Sequence, residues 1–391
     1  MKILICAAFY RPHIGGYEKN VEIIAERLVH AGHEVDILTC NTNESFEYEG
    51  RMKENYMINR VPCWNLLNGV YPVPKWSPNL KRVMDHRYDL VITQTRFFVT
   101  SFIGYLIARK QKIPLIAVER GTCHSVTANA LVRLLCRAYD HTVGTLIVRA
   151  AKANVGVSAA AVGFISHIGG RNLRVIYNGI DCDRGRTEIK VNPSKERVIT
   201  FVGRLIYAKG VQDLILAYCM CVFDEEVMKL VGATDGKPNL RLRIIGDGPY
   251  RKELENMWHG EPVRLGWIEF YGERKDVLDL LEESDIFVNP SYSEGLPTSV
   301  MEAASVGLPI VATDVGGTNE IIKHMKSGLV IPPRQVWLLA ESIKVLLKDE
   351  TAAKTMGLMA RNTVMAKFNW DSITDQYLRL IREVTECKNL K

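Results

Sequence analysis

Long apolar runs are missing from this chain of 391 residues. No stretch of 18 or more uncharged apolar residues occurs, so the sequence offers no helix able to span a bilayer. The opening run Lys2–Ala8 is too short for the apolar core of a secretory leader and passes directly into a loop. Paired cysteine spacing is also absent. The nine cysteines include no C-x-x-C and no matching histidine cluster in sequence, which argues against a disulfide framework or a zinc finger and for reduced thiols. Cys219 and Cys221 form the one close pair, within a helical pattern that reads as core.

What is present is ordinary for a globular protein: 47% hydrophobic and 24% charged residues, with enough length for two α/β domains. The net charge of +6 is uneven, +9 over residues 1–190 and −3 over the remainder. A basic first half suits an anionic acceptor or an acidic membrane surface, and equally a merely basic solvated face.

Lys2–Ala8 reads as a buried strand, followed by a loop Phe9–Gly16 and a helix with Val21, Ile24, Ala25, Leu28 and Val29 on one face. Gly32 ends that helix and Glu34–Thr39 is the next strand, so a parallel βαβ sheet starts at the first residues. Gly15 and Gly16 let backbone approach closely at a helix N-terminus. Residues 41–80 read as irregular, with aromatics and prolines gathered between Trp64 and Trp76. Strands are expected at Asp89–Thr93 and Pro114–Val118, with a helix through Gly104–Lys110 between them. The second of these strands opens onto Glu119, Arg120 and His124. Arg120 could grip a phosphate in bidentate fashion, and a loop histidine is a candidate for proton transfer. Leu131–Arg149 reads as one helix carrying Arg133, Arg137 and Arg149, either lying on an anionic bilayer or facing a core. Asp181-Cys-Asp183 is turn chemistry at a domain boundary, not a metal triplet.

Glu188–Arg197 reads as a linker, and Val198–Val202 as the first strand of a second domain. Arg204 and Lys209 then flank a helix N-terminus at the carboxyl end of that strand, where two cations would clamp a diphosphate. Leu240–Ile245 is another strand, running into the glycine-rich turn Gly246–Pro249. Further on, Ile286–Val288 is a short buried strand, and a polar loop leads to Pro297 and Thr298 at the start of a helix that Gly307 stops. Pro309–Thr313 is the strand after it. The amides of Gly295, Leu296, Pro297 and Thr298 lie where an anion would bind, Pro297 supplying its turn and no N–H. Glu294 precedes them and Glu302 follows on the helix, better suited to sugar hydroxyls than to phosphate. Helices are expected at 335–348, 350–366 and 371–385.

Glu294 and Glu302, eight residues apart, resemble the Glu-x7-Glu signature of retaining glycosyltransferases of family 4. Asn289-Pro-Ser, Gly316-Gly317-Thr-Asn-Glu320 and Gly203-Arg-Leu-Ile-Tyr-Ala-Lys-Gly210 match that family too. The likeness runs over nearly the whole chain and is strongest from Ile199 to Val330. It implies the GT-B fold: two doubly wound, Rossmann-like parallel-sheet domains facing each other across a cleft. The first, 1–187, would bind the acceptor and take back the terminal helix 371–391. The second, 188–370, would bind the nucleotide-sugar donor, its base held near Gly266–Gly272 mostly by backbone.

The implied reaction moves a hexose from a nucleotide diphosphate sugar to a glycan or lipid-linked acceptor, with retention and without a metal or other cofactor. Mannose, glucose and N-acetylglucosamine are the sugars considered. Arg204, Lys209 and amides near Gly15–Gly16 and Gly295–Thr298 would stabilise the leaving diphosphate. Glu302 would hold the ribose and Glu294 the transferred sugar. Retention points to a front-face substitution in which the leaving phosphate takes the acceptor proton. Many relatives have His-Gly where Arg120 stands, so His124, four residues on, is the alternative catalytic histidine, with Glu119 and Arg120 as acceptor contacts. Two rivals are a sugar-nucleotide epimerase of the same fold and a non-catalytic binding protein; the latter should have lost residues such as Arg204, Lys209, Glu294 and Glu302. The expected setting is the cytoplasm, with peripheral contact at the membrane's cytoplasmic face in polysaccharide or lipopolysaccharide assembly, and no nucleic-acid partner.

Overall fold

The computed structural model describes residues 1–11, 15–42, 51–53, 56–66, 71–124, 130–180, 196–234, 237–257 and 266–386. The Asp181–Asp183 turn, the 187/188 boundary and most of the expected linker lie outside the described residues. The chain divides into two units, Met1–Gly179 with Trp370–Lys391, and Ile180–Asn369.

In the first unit β1 (Lys2–Cys6) lies between β2 (Glu34–Asn41) and β6 (Leu90–Gln94), parallel to both. Outward from β6 come β7 (Leu115–Glu119), β8 (Ala153–Gly156) and β9 (Leu173–Val175), all parallel. Outward from β2 comes β4 (Tyr56–Leu66), with β3 (Arg51–Lys53) and β5 (Tyr71–Pro74) antiparallel to it. The strands are continuous apolar runs because helices cover both faces: Leu4, Cys6, Leu38, Val91 and Ala117 share one core with Ile103 and Ile107 of the helix Val99–Gln111. Each buried leucine, isoleucine or valine among them contributes roughly 1.5–3 kcal/mol.

Two expectations for this unit need correcting. Residues 41–80 are not irregular throughout: β4 pairs with β2 over seven positions, Val35↔Tyr56 to Asn41↔Pro62, and a helix Pro78–Asp85 is capped by Ser77. Pairing with a buried neighbour decides the conformation of a segment whose own prolines and asparagines argue against it. Leu131–Arg149 is not one helix either. It breaks into Ala130–Tyr139, a π-helical turn Asp140–Gly144, and Thr145–Ala150. The buried carboxylate of Asp140 bonds to Arg96 there, and the turn widens at that residue.

The terminal helix Trp370–Glu386 buries Trp370, Ile373, Tyr377, Leu380, Ile381 and Val384, the three–four spacing of a one-sided helix, and packs within the first unit. Trp370 sits against Gly179, where an added Cβ would lie 2.3 Å from the indole.

The second unit is an all-parallel sheet in the order β14-β13-β10-β15-β16-β17. Its strands are β10 (Arg197–Val202), β13 (Leu240–Ile245), β14 (Ile268–Gly272), β15 (Ile286–Asn289), β16 (Ile310–Thr313) and β17 (Leu329–Ile331). A separate hairpin joins β11 (Ala233–Thr234) to β12 (Lys237–Pro238). The chain winds outward from β10 to β13 and β14, then returns to β15 on the other side of β10. That reversal opens a crevice at the carboxyl ends of β10 and β15, the place where open α/β sheets bind ligands.

Candidate active site

The loops after β10 and β15 are locked together by backbone. Gly210 has φ +66°, and a Cβ there would lie 2.1 Å from the Pro290 carbonyl oxygen, so only glycine lets the loops meet. The Tyr292 amide donates to the Ala208 carbonyl at 2.8 Å. Gly316, at φ +57°, is pressed in the same way against the Glu294 carbonyl, and the Gly317 amide donates to the Gly295 carbonyl at 2.8 Å. The loop carrying Glu294 is thereby held from both sides.

Within this frame the Lys209 ammonium meets Glu294 Oε1 at 2.7 Å. The same oxygen receives the Ser291 hydroxyl at 2.7 Å and faces the Asn289 amide at 3.5 Å. Glu294 is nearly buried, its side chain 8% exposed. A lysine and a glutamate given separate duties by sequence are thus one ion pair. Lys209 keeps two of its three donors for another ligand. Arg204 is exposed and makes no ion pair among the described residues.

Leu296 and Pro297 are buried, and Pro297 caps the helix Thr298–Ser305, whose first turn has no side-chain cap. Its leading amides are open to an anion. Glu302 sits on the second turn of this helix, half-buried, with its carbonyl accepting from the Ser305 hydroxyl. Beside Lys209 lies an aromatic group that sequence reasoning missed: the Tyr207 and Tyr292 rings stand 5.4 Å apart, and the Arg334 guanidinium lies 4.0 Å from the Tyr292 ring. Burial raises the Tyr292 pKa, and Asp213 adds to it.

The first-unit candidates have another character. Glu119 is 2% exposed and both its oxygens are taken: Oε2 by the Arg96 guanidinium at 2.9 Å and the Arg96 amide, Oε1 by the amides of Arg120 and Gly121. It shapes the loop it belongs to. Arg120 reaches Gln94 at 3.1 Å and Asn178 at 2.8 Å and lies over the Tyr17 ring, and burial lowers its pKa. His124 gives Nδ1 to Asp140 Oδ2 at 2.7 Å, and Asp140 also binds Arg96 at 3.0 Å. Burial by itself would lower the Arg96 pKa, but Glu119 and Asp140 outweigh it and hold it raised. Arg96 and Asp140, central to this network, were not visible in sequence. Gly15 is the extended N-cap of the helix Gly16–His30.

Two family models together span nearly the whole chain: Glycosyltransferase Family 4 over residues 14–184 and Glycosyl transferases group 1 over residues 186–363. Among solved structures, HepE of Anabaena in complex with UDP and glucose superposes with a TM-score of 0.74 at 21% identity, over 98% of this chain and 100% of that one. Sucrose-phosphate synthase of Thermosynechococcus elongatus gives 0.77 at 20% identity, over 99% of each chain. Two parallel-sheet α/β units of this kind are the GT-B fold. An uncharacterised glycosyltransferase of Methanocaldococcus jannaschii is 27% identical over 98% of this chain and 99% of its own length. The N-acetyl-α-D-glucosaminyl L-malate synthase of Bacillus anthracis is 24% identical over 98% of both. The chain belongs to the family 4, group 1 glycosyltransferases, enzymes acting on nucleotide sugars.

Proposed function

We propose that the protein transfers a hexose from a nucleotide diphosphate sugar, UDP-linked in the first instance, to a glycan or lipid-linked sugar acceptor with retention at the anomeric carbon. The observation that carries this reading is the Lys209–Glu294 pair at the switch point between β10 and β15, with Arg204 in the same loop as Lys209 and an uncapped helix N-terminus closing the loop of Glu294. UDP is preferred because HepE, of the same fold, binds it. The leaving diphosphate gathers charge as its bond to the anomeric carbon breaks. Lys209, Arg204 and the amides at Gly295–Thr298 lie ready for that charge, and preorganised donors of this kind are worth roughly 3 kcal/mol each. The acceptor hydroxyl attacks the same face of the sugar, and its proton passes to the departing phosphate oxygen. Glu294 holds the transferred sugar; with Oε1 bonded to Lys209 and Ser291 it is a poor nucleophile. Glu302 holds the ribose, and Arg120 and its loop in the first unit receive the acceptor.

A cytoplasmic enzyme working at the face of an anionic membrane fits this acceptor. Leu131, Leu134 and Leu135 are 64%, 64% and 60% exposed on the helix that carries Arg133 and Arg137. Thermal-shift measurements with UDP-, GDP- and ADP-sugars test the donor: one nucleotide should stabilise the protein by mass action, and Lys209→Ala should abolish the shift. An inverted anomeric centre in the product, read by proton NMR, would remove the claim of retention. Equal partition of the wild type and a Leu134→Ser/Leu135→Ser variant onto phosphatidylglycerol vesicles would remove the membrane claim.

A further inference from the structure

We infer that the first unit contains a three-histidine site for a divalent transition-metal ion, zinc foremost, built from His124, His141 and His167. The three come from different elements. His124 lies in the loop after β7, His141 in the π-helical turn Asp140–Gly144, and His167 is the last residue of the helix Ala159–His167. One ring nitrogen of each lies within 4.8 Å of those of the other two. The ring centroids are 5.2 Å apart for His124 and His141, 5.9 Å for His124 and His167, and 5.6 Å for His141 and His167.

Three imidazoles gathered this closely are a poor arrangement for protons, since cations would repel, and a good one for a metal that takes three neutral nitrogen ligands. A tetrahedral zinc ion with bonds of ~2.0–2.1 Å needs its nitrogens about 3.4 Å apart. His141 and His167 are exposed, so their side chains are free to make the small inward rotation.

A second observation points the same way. Asp140 is completely buried and accepts from His124 Nδ1 at 2.7 Å, which fixes the tautomer and leaves Nε2 with its lone pair. A carboxylate behind a metal-bound histidine does this work in zinc sites. Asp140 is itself held by Arg96 at 3.0 Å, and its Oδ1 is buried without a hydrogen-bond partner among the described residues. The Phe164 ring closes the inner side, edge-on to His124 at 5.1 Å. The chemistry of the set chooses the ion class: three imidazoles suit zinc, copper, nickel or cobalt, while calcium and magnesium demand oxygen. Three protein ligands leave a fourth position for water or a ligand oxygen. The ion would tie the loop Gly121–His124 to the end of the helix Ala159–His167. The sequence, with no metal motif, leads to the expectation of no metal anywhere in the chain, and this site departs from that expectation.

The test uses the full chain without a histidine tag, stripped with EDTA and titrated with Co²⁺. The expected result is visible ligand-field absorption that saturates at one ion per chain and is displaced by Zn²⁺. Asp140→Asn should weaken binding about 10–100-fold. His141→Ala/His167→Ala should abolish it, with the melting temperature in EDTA unchanged because both residues are exposed. Added Zn²⁺ should raise the melting temperature of the wild type and not of the double variant. Absence of cobalt absorption in the wild type, or equal affinity in the double variant, would overturn the site. Neither readout depends on transferase activity, so a failed donor assay leaves this result standing.

Discussion

Two charged clusters, one in each unit, use the same kinds of residue to opposite ends. Around Glu119 the charges are buried and paired with one another: Arg96 is 4% exposed and bonded to both Glu119 and Asp140, and each Glu119 oxygen has a protein partner. Around Glu294 the pairing is partial. Lys209 is 24% exposed with donors to spare, and Arg204, in the same loop, is exposed. A buried network of paired charges stabilises one geometry; a half-open one keeps charge in reserve for a substrate. An arginine beside a glutamate is therefore not evidence of catalysis until its remaining donors have been followed to their partners.

The largest effect expected from this contrast is on folding. Arg96→Met leaves Glu119 and Asp140 as uncompensated buried carboxylates and should cost about 3–5 kcal/mol of stability in urea denaturation. A loss under about 1 kcal/mol would mean that the cluster is wetter than its geometry indicates. Next comes Lys209→Ala, which removes a preorganised cation and should lower kcat/KM about 10²–10³-fold. Its stability loss should be smaller than that of Arg96→Met, because Glu294 keeps the Ser291 hydroxyl and the Asn289 amide. If the two variants exchanged these phenotypes, the division between a scaffolding cluster and a working one would fail.

The second cluster was legible in sequence because its parts are local. Glu294 to Glu302, and Arg204 to Lys209, each fall in one strand–loop–helix segment, and a strand's end followed by a helix start places them at the sheet's carboxyl edge. That Lys209 and Glu294 touch was not legible, since 85 residues separate them and only the reversal of strand order at β10 brings their loops together. The first cluster was hidden for the same reason, compounded by the break at Asp140, where a favourable helical pattern concealed a widened turn. The three histidines share that history: spaced at 124, 141 and 167 they form no sequence motif, and the fold alone makes them neighbours. β4 was missed in the opposite direction, as a segment with weak strand signals recruited by β2.

The smallest effect on stability should fall at Arg204, together with a measurable effect on donor binding. It is exposed and unpaired among the described residues, so Arg204→Ala should change stability by no more than about 0.5 kcal/mol. If its guanidinium serves the donor diphosphate, the same change removes a charge-assisted hydrogen bond worth about 1.5–3 kcal/mol. That corresponds to a donor Kd weaker by about tenfold to a hundredfold, measurable by isothermal titration with the nucleotide sugar. Arg204→Lys should recover part of the affinity, since it restores the charge without the planar fork. An unchanged Kd in Arg204→Ala would assign the diphosphate to Lys209 and the helix amides alone and confine the working cluster to Lys209 and the loop between Asn289 and Thr298.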